Sequence, residues 1–132
     1  MLHDIGKIFV LDEILSKQGV LTTEERKIIE THPVKGARYL MGIDGIPKLA
    51  ILAPREHLRK FDGRGYPSMK QGWTPNITSQ LITIADVSAA MRSRKSYQTA
   101  FPQERIEAVL IKGSATSFNP VLGDRFLKMI KR

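Results

Sequence analysis

Apolar residues recur at three- and four-residue intervals along most of the chain, and alternating apolar and polar runs are nearly absent, so the pattern predicts an all-α fold. Thr22, with Glu25 three residues later, is a capping box that starts a helix at about Thr23, with Ile28 and Ile29 on its apolar side up to Thr31. His32 precedes Pro33. Proline suits the first turn of a helix but turns its predecessor away from helical geometry, which places His32 at a helix junction. Val34, Ala37, Leu40 and Met41 keep helical spacing until Gly42, a C-terminal stop.

Leu49 to Leu58 predicts a further helix, kinked at Pro54, whose missing amide cannot bond to Ala50, so that the end bearing His57 is tilted. Residues 60–76 hold Gly63, Gly65, Pro67, Gly72 and Pro75, too many helix breakers for anything but a loop, and Trp73 is expected to anchor that loop to the core. Helical spacing resumes from Ile77 to about Arg92. Phe101-Pro102 opens a shorter helix to Ile111, and Pro120 a last one through Phe126, Leu127 and Ile130. Leu81, Ile82, Phe126 and Ile130 read as core.

The composition adds bounds. A chain of 132 residues, 42% hydrophobic and 26% charged, with no repeat, low-complexity tract or linker, is one globular domain over residues 1–132. Its longest apolar runs, such as Leu49 to Ala53, fall far short of the ~20 residues of a membrane span. The first residues do not form a secretion signal, so a cytoplasmic location is expected. Twenty-one Lys and Arg against thirteen Asp and Glu give a formal charge of +8, which favours anionic partners. No helix-turn-helix or RNA-binding signature accompanies that charge, so no specific nucleic-acid partner is expected. The chain has no cysteine, and any metal must sit on His, Asp and Glu.

Singly, His3, His32 and His57 could each be an ordinary hydrogen-bonded histidine. Asp86 is harder to dismiss. Its helical neighbours Ile82, Thr83, Ala89 and Ala90 suggest a mostly apolar face, where a carboxylate needs a cation, a metal or a proton. One arrangement satisfies all four together: the imidazoles and the carboxylates of Asp4 and Asp86 converge on one or two divalent ions. Such a site supports hydrolysis, and Lys7, one helical turn after Asp4, would set its ammonium beside it.

His3-Asp4-Ile5-Gly6-Lys7, together with Asp62-Gly63-Arg64-Gly65-Tyr66-Pro67, resembles the HD-GYP family, the all-helical branch of the HD metal-dependent phosphohydrolases that act on the bacterial second messenger cyclic di-GMP. Asp12-Glu13-Ile14-Leu15, Leu21 to Glu25, His32-Pro33 with Gly36, Ala85-Asp86-Val87 and Phe118-Asn119-Pro120 extend the likeness over nearly the whole chain. The resemblance implies an HD-type helical bundle and a metal-dependent phosphodiesterase acting in signal transduction. It implies metal ligands at His3, Asp4, His32, His57 and Asp86, holding one or two divalent ions, iron or manganese first. It puts Asp4 and Lys7 in the catalytic apparatus, with Lys7 on the scissile phosphate. It sets Arg64, Gly65, Tyr66, Pro67, Lys95 and Tyr97 against a cyclic dinucleotide, or the GYP loop against a signalling protein.

The departures are specific. Where the family has two successive histidines and then Glu, this chain reads His57-Leu58-Arg59, and Ala89 stands where an Asp is usual. Lys95-Ser96-Tyr97 replaces Arg-Pro-Tyr. Against the family pattern, helices that precede the HD pair and supply a further ligand are lacking, and the apolar surface this would bare favours a homodimer. The alternative reading is therefore a catalytically degenerate module that binds cyclic di-GMP or a signalling protein without turnover.

Overall fold

The computed structural model describes residues 2–70, 72–93 and 100–131. Among these residues the chain is helical, with no strand. A 3-10 helix over Leu2–Phe9 leads into α1 (Asp12–Leu15), α2 (Thr23–Ile29), α3 (His32–Met41), α4 (Lys48–Glu56), α5 (Ile77–Arg92), α6 (Gln103–Lys112) and α7 (Pro120–Ile130). The all-α expectation holds, and residues 60–76 form the expected loop apart from the undescribed Gln71.

Local chemistry sets the boundaries. The Thr22 hydroxyl accepts the Glu25 amide at 3.2 Å and the Glu25 carboxylate accepts the Thr22 amide at 2.7 Å, completing the capping box before α2. Pro33 sits in the first turn of α3, where its missing amide leaves no gap in the ladder, and Gly42 caps the other end. Asn76 and Asn119 cap α5 and α7 by accepting backbone amides of Thr78 and of Val121 and Leu122. α4 continues through Pro54, with His57 as its C-terminal cap.

Packing divides the helices into two groups that share α5. In the first, α3 packs on the 3-10 helix and on α4, with Val10, Ala37, Leu40 and Ala53 buried there. Backbones meet directly at this junction: a Cβ at Gly6 would overlap the His32 carbonyl, and one at Gly36 would stand 2.9 Å from the Gly6 nitrogen. In the second, Ile84 of α5 joins Ile106, Leu110 and Phe118 in a buried cluster. Phe126 and Ile130 pack half-buried against it, as expected of core residues.

Three expectations about burial are corrected. Leu81 is 48% exposed because the buried face of α5 runs through Ser79, Ile84 and Ser88 instead, and Ile82 is only half-buried. Trp73 is 42% exposed and does not pin its loop to the core. Ala89 and Ala90 are exposed, so the face around Asp86 is an open edge rather than an apolar interior. No helix among the described residues is long and apolar enough to cross a membrane.

Candidate metal centre

The 3-10 helix carries His3 and Asp4, the start of α3 carries His32, the end of α4 carries His57, and the middle of α5 carries Asp86. Five residues from four elements meet. His3 Nε2 lies 3.6 Å from Asp4 Oδ2 and 3.3 Å from Asp86 Oδ1. His32 Nε2 and His57 Nε2 lie 3.4 and 3.7 Å from Asp4 Oδ1. Ligand atoms of His3, Asp4 and His57 all fall within 4.8 Å of one another. The three imidazoles are buried, whereas Asp86, 37% exposed, closes the centre on its open side.

The hydrogen bonds fix which nitrogens face inward. His32 Nδ1 donates to the Ile29 carbonyl at 2.7 Å, and His57 Nδ1 donates to the Pro54 carbonyl at 2.8 Å. A carbonyl can only accept, so in the neutral rings both Nε2 atoms present lone pairs, and they do so 3.4 Å apart. Burial, ahead of a bond to Pro54 that opposes it, lowers the His57 pKa, and His57 is neutral at pH 7. His3 Nε2 is likewise buried without a hydrogen-bond partner. Lone pairs and carboxylate oxygens gathered this closely repel one another unless a cation lies among them, and the donor set suits a divalent metal.

Lys7 reaches Asp4 Oδ2 at 2.8 Å from a half-exposed position. Burial pushes the Asp4 carboxyl up, but the hydrogen bond from Lys7 and the Lys7 charge pull the other way, and Asp4 stays well below the usual carboxylate range.

Tyr66 lies half-buried on the loop, and burial raises its phenol above the ordinary value, with smaller contributions from the carboxylates of Glu30 and Asp4. Arg64 is exposed and its guanidinium is taken by Asp62, Nη2 to Oδ2 at 2.6 Å, beside a surface concavity of about 360 Å3 lined by Phe61, Lys70 and Trp73. Gly65 is exposed and Pro67 half-buried on the same loop. Lys95 and Tyr97 lie outside the described residues.

Two buried charged residues escape a reading of the sequence. Glu56 accepts the Asn76 amide and the Ser79 hydroxyl, both at 2.8 Å, and the His57 carbonyl accepts the Thr83 hydroxyl at 2.8 Å. These bonds tie the His57 end of α4 to α5, and so to Asp86. Arg59, the second, is bonded to the loop. Helical spacing shows only that Glu56 and Arg59 flank His57, and nothing in it links Glu56 to residues twenty and more positions away.

The helical fold carries in this cluster a group of His and Asp residues that could hold a metal ion. A family model described as "HD domain" matches residues 1–120, and the chain belongs to that family. It is 34% identical over 132 residues to a cyclic di-GMP phosphodiesterase of Vibrio cholerae, covering 96% of this chain and 27% of the relative. It is 36% identical over 132 residues to a cyclic di-GMP phosphodiesterase of Thermotoga maritima, covering 98% of this chain and 36% of that one. A 3'3'-cGAMP-specific phosphodiesterase of Vibrio cholerae is 32% identical over 128 residues, covering 96% of this chain and 24% of the relative. The chain thus spans roughly a quarter to a third of the length of these relatives, and the HD-GYP likeness read in the sequence stands.

Proposed function

We propose that this domain is a metal-dependent phosphodiesterase acting on a cyclic dinucleotide, with cyclic di-GMP as the first substrate and signal transduction as its setting. The observation that carries this is the meeting of three imidazoles with Asp4 and Asp86, with Lys7 on the exposed edge of Asp4. A divalent ion held there, iron or manganese first, supplies the Lewis acidity that makes water a nucleophile at neutral pH and offsets phosphate charge.

This chain's residues do the rest. Asp4, kept ionised by its neighbours, orients the centre and holds Lys7 at its mouth. The Lys7 ammonium binds a non-bridging oxygen of the scissile phosphate and stabilises charge developing there. Water oxygen forms the new bond to phosphorus, the bond to the 3'-oxygen breaks, and the proton passes to that leaving oxygen. Tyr66 offers its ring and hydroxyl to the dinucleotide, with Arg64, Gly65 and Pro67 beside it in the chain, and Lys95 and Tyr97 are assigned to substrate by the family resemblance alone. The names of the relatives support this substrate class, and a cytoplasmic setting belongs to the same reading. A homodimer, and a signalling-protein contact through the loop, belong to the same reading.

The test is turnover by purified protein loaded with iron or manganese, offered cyclic di-GMP and 3'3'-cGAMP in parallel. Hydrolysis that disappears in Asp4→Ala is the expected result. Metal-loaded protein that binds cyclic di-GMP and leaves both dinucleotides intact overturns the proposal in favour of a binding module.

A further inference from the structure

We propose that Arg59 is a positioning residue, whose buried guanidinium straps the Asp62–Pro67 loop from both ends and thereby fixes the place of Tyr66 between them. The strap is independent of any reaction; its effect on turnover rests on the phosphodiesterase reading.

Arg59 is only 3% exposed, an unusual place for a guanidinium. Its Nη1 donates to the Pro67 carbonyl and its Nη2 to the Gly63 carbonyl, each at 2.6 Å. Those two carbonyls bracket Arg64, Gly65 and Tyr66. The backbone reinforces the clasp, since Arg59 pairs with Gly65 in an isolated antiparallel bridge and the Lys60 amide donates to the Arg64 carbonyl at 2.8 Å. A Cβ at Gly65 would overlap the Leu58 carbonyl, so the loop is drawn hard against the strand of chain that bears Arg59.

The chemistry needs this side chain. A planar fork with donors on separate nitrogens can hold two carbonyls in fixed relation, whereas an ammonium is a point charge without that geometry. A glutamate, which the HD-GYP resemblance leads one to expect here, only accepts when ionised and could bond to neither carbonyl. Buried Nε finds no partner, so the bonding capacity of the side chain goes to the loop. Tyr66 lies between the two strapped points, so the clasp sets where its ring stands.

The experiment compares Arg59→Gln and Arg59→Lys, each alone and combined with Tyr66→Phe, in metal-loaded protein. Three readouts are taken: amide exchange at Lys60 and Gly63, the 19F shift of fluorotyrosine at Tyr66 (assigned by its loss in Tyr66→Phe), and KM against kcat for cyclic di-GMP. In Arg59→Gln we expect exchange at Lys60 and Gly63 to quicken about tenfold or more, matching roughly 1.4 kcal/mol of lost local protection, while core amides such as Leu110 keep theirs. The Tyr66 resonance moves, metal content per chain stays unchanged, and KM rises about tenfold with kcat within about threefold. Added to Tyr66→Phe, Arg59→Gln raises KM no further, because it acts through the same ring. Arg59→Lys falls between, and it carries the same test if Arg59→Gln fails to fold. Unchanged loop exchange, or a Tyr66 resonance that stays put, overturns the strap whether or not the protein turns over substrate. Additive effects on KM overturn the action through Tyr66. Altered exchange and a shifted resonance in a protein without turnover uphold the strap and remove only the phosphodiesterase reading.

Discussion

His32 and His57 face each other through bare nitrogens, Nε2 to Nε2 at 3.4 Å, while each ring gives its Nδ1 hydrogen to a backbone carbonyl. Neither ring can turn to relieve the pair without abandoning a buried carbonyl bond. The centre is therefore set for a cation before one arrives.

A metal that binds only this folded arrangement stabilises it by mass action. Adding Mn2+ at a hundredfold excess over its dissociation constant is expected to raise stability by about 2.7 kcal/mol, and chelator to reverse the gain. Thermal denaturation with and without metal checks this, with elemental analysis alongside. Asp4→Ala should show neither the rise in Tm nor bound metal.

Gly6→Ala forces a methyl group into the His32 carbonyl. Overpacking against backbone costs roughly 1–3 kcal/mol, and here it also pushes His3 and Asp4 away from His32. Urea unfolding should show the loss of stability, and metal titration a weaker site. A Gly6→Ala protein with unaltered metal affinity would show that the junction does not set the centre.

Glu56→Ala leaves the Asn76 amide and the Ser79 hydroxyl without their acceptor in a buried position. Each stranded donor costs about 1–3 kcal/mol, so the variant should lose more than Ser79→Ala, which removes one donor and keeps the other bond. Comparing urea midpoints of the two separates the clamp from simple packing.

Glu25 is the group for a pH test. The Lys17 ammonium bonds to both its carboxylate oxygens at 2.7 Å, and with the Thr22 amide this lowers the Glu25 pKa. The carboxyl is more acidic folded than unfolded, so its contribution is complete above the ordinary range near pH 4.3 and fades as pH falls through the folded value. The Tm gap between wild type and Glu25→Gln should be open at pH 7 and close in acid. A gap independent of pH would show that the ion pair contributes nothing.

Helix limits were legible because their signals are local: Thr22 with Glu25, Pro33 and Pro120 all act within a turn of themselves. The five clustered residues could be read from residue type, since three histidines and two carboxylates had one joint use, and the structure brings all five together. Leu81 and Trp73 were misread because spacing says that a helix has an apolar side or a loop an aromatic, not which neighbour covers it. Glu56 and Arg59 were invisible as buried groups for a related reason. Their partners sit on a loop and another helix, and a charged residue beside a helix end is ordinarily solvated.

At Gly6 and Gly36 main chain touches main chain, with no side chain as a cushion. Side chains accommodate neighbours by changing rotamer; peptide planes cannot. The spacing between the segment that bears His3 and the segment that bears His32 therefore inherits the stiffness of the polypeptide itself. That one spacing is insulated from changes in the apolar core elsewhere, as long as these two positions stay bare.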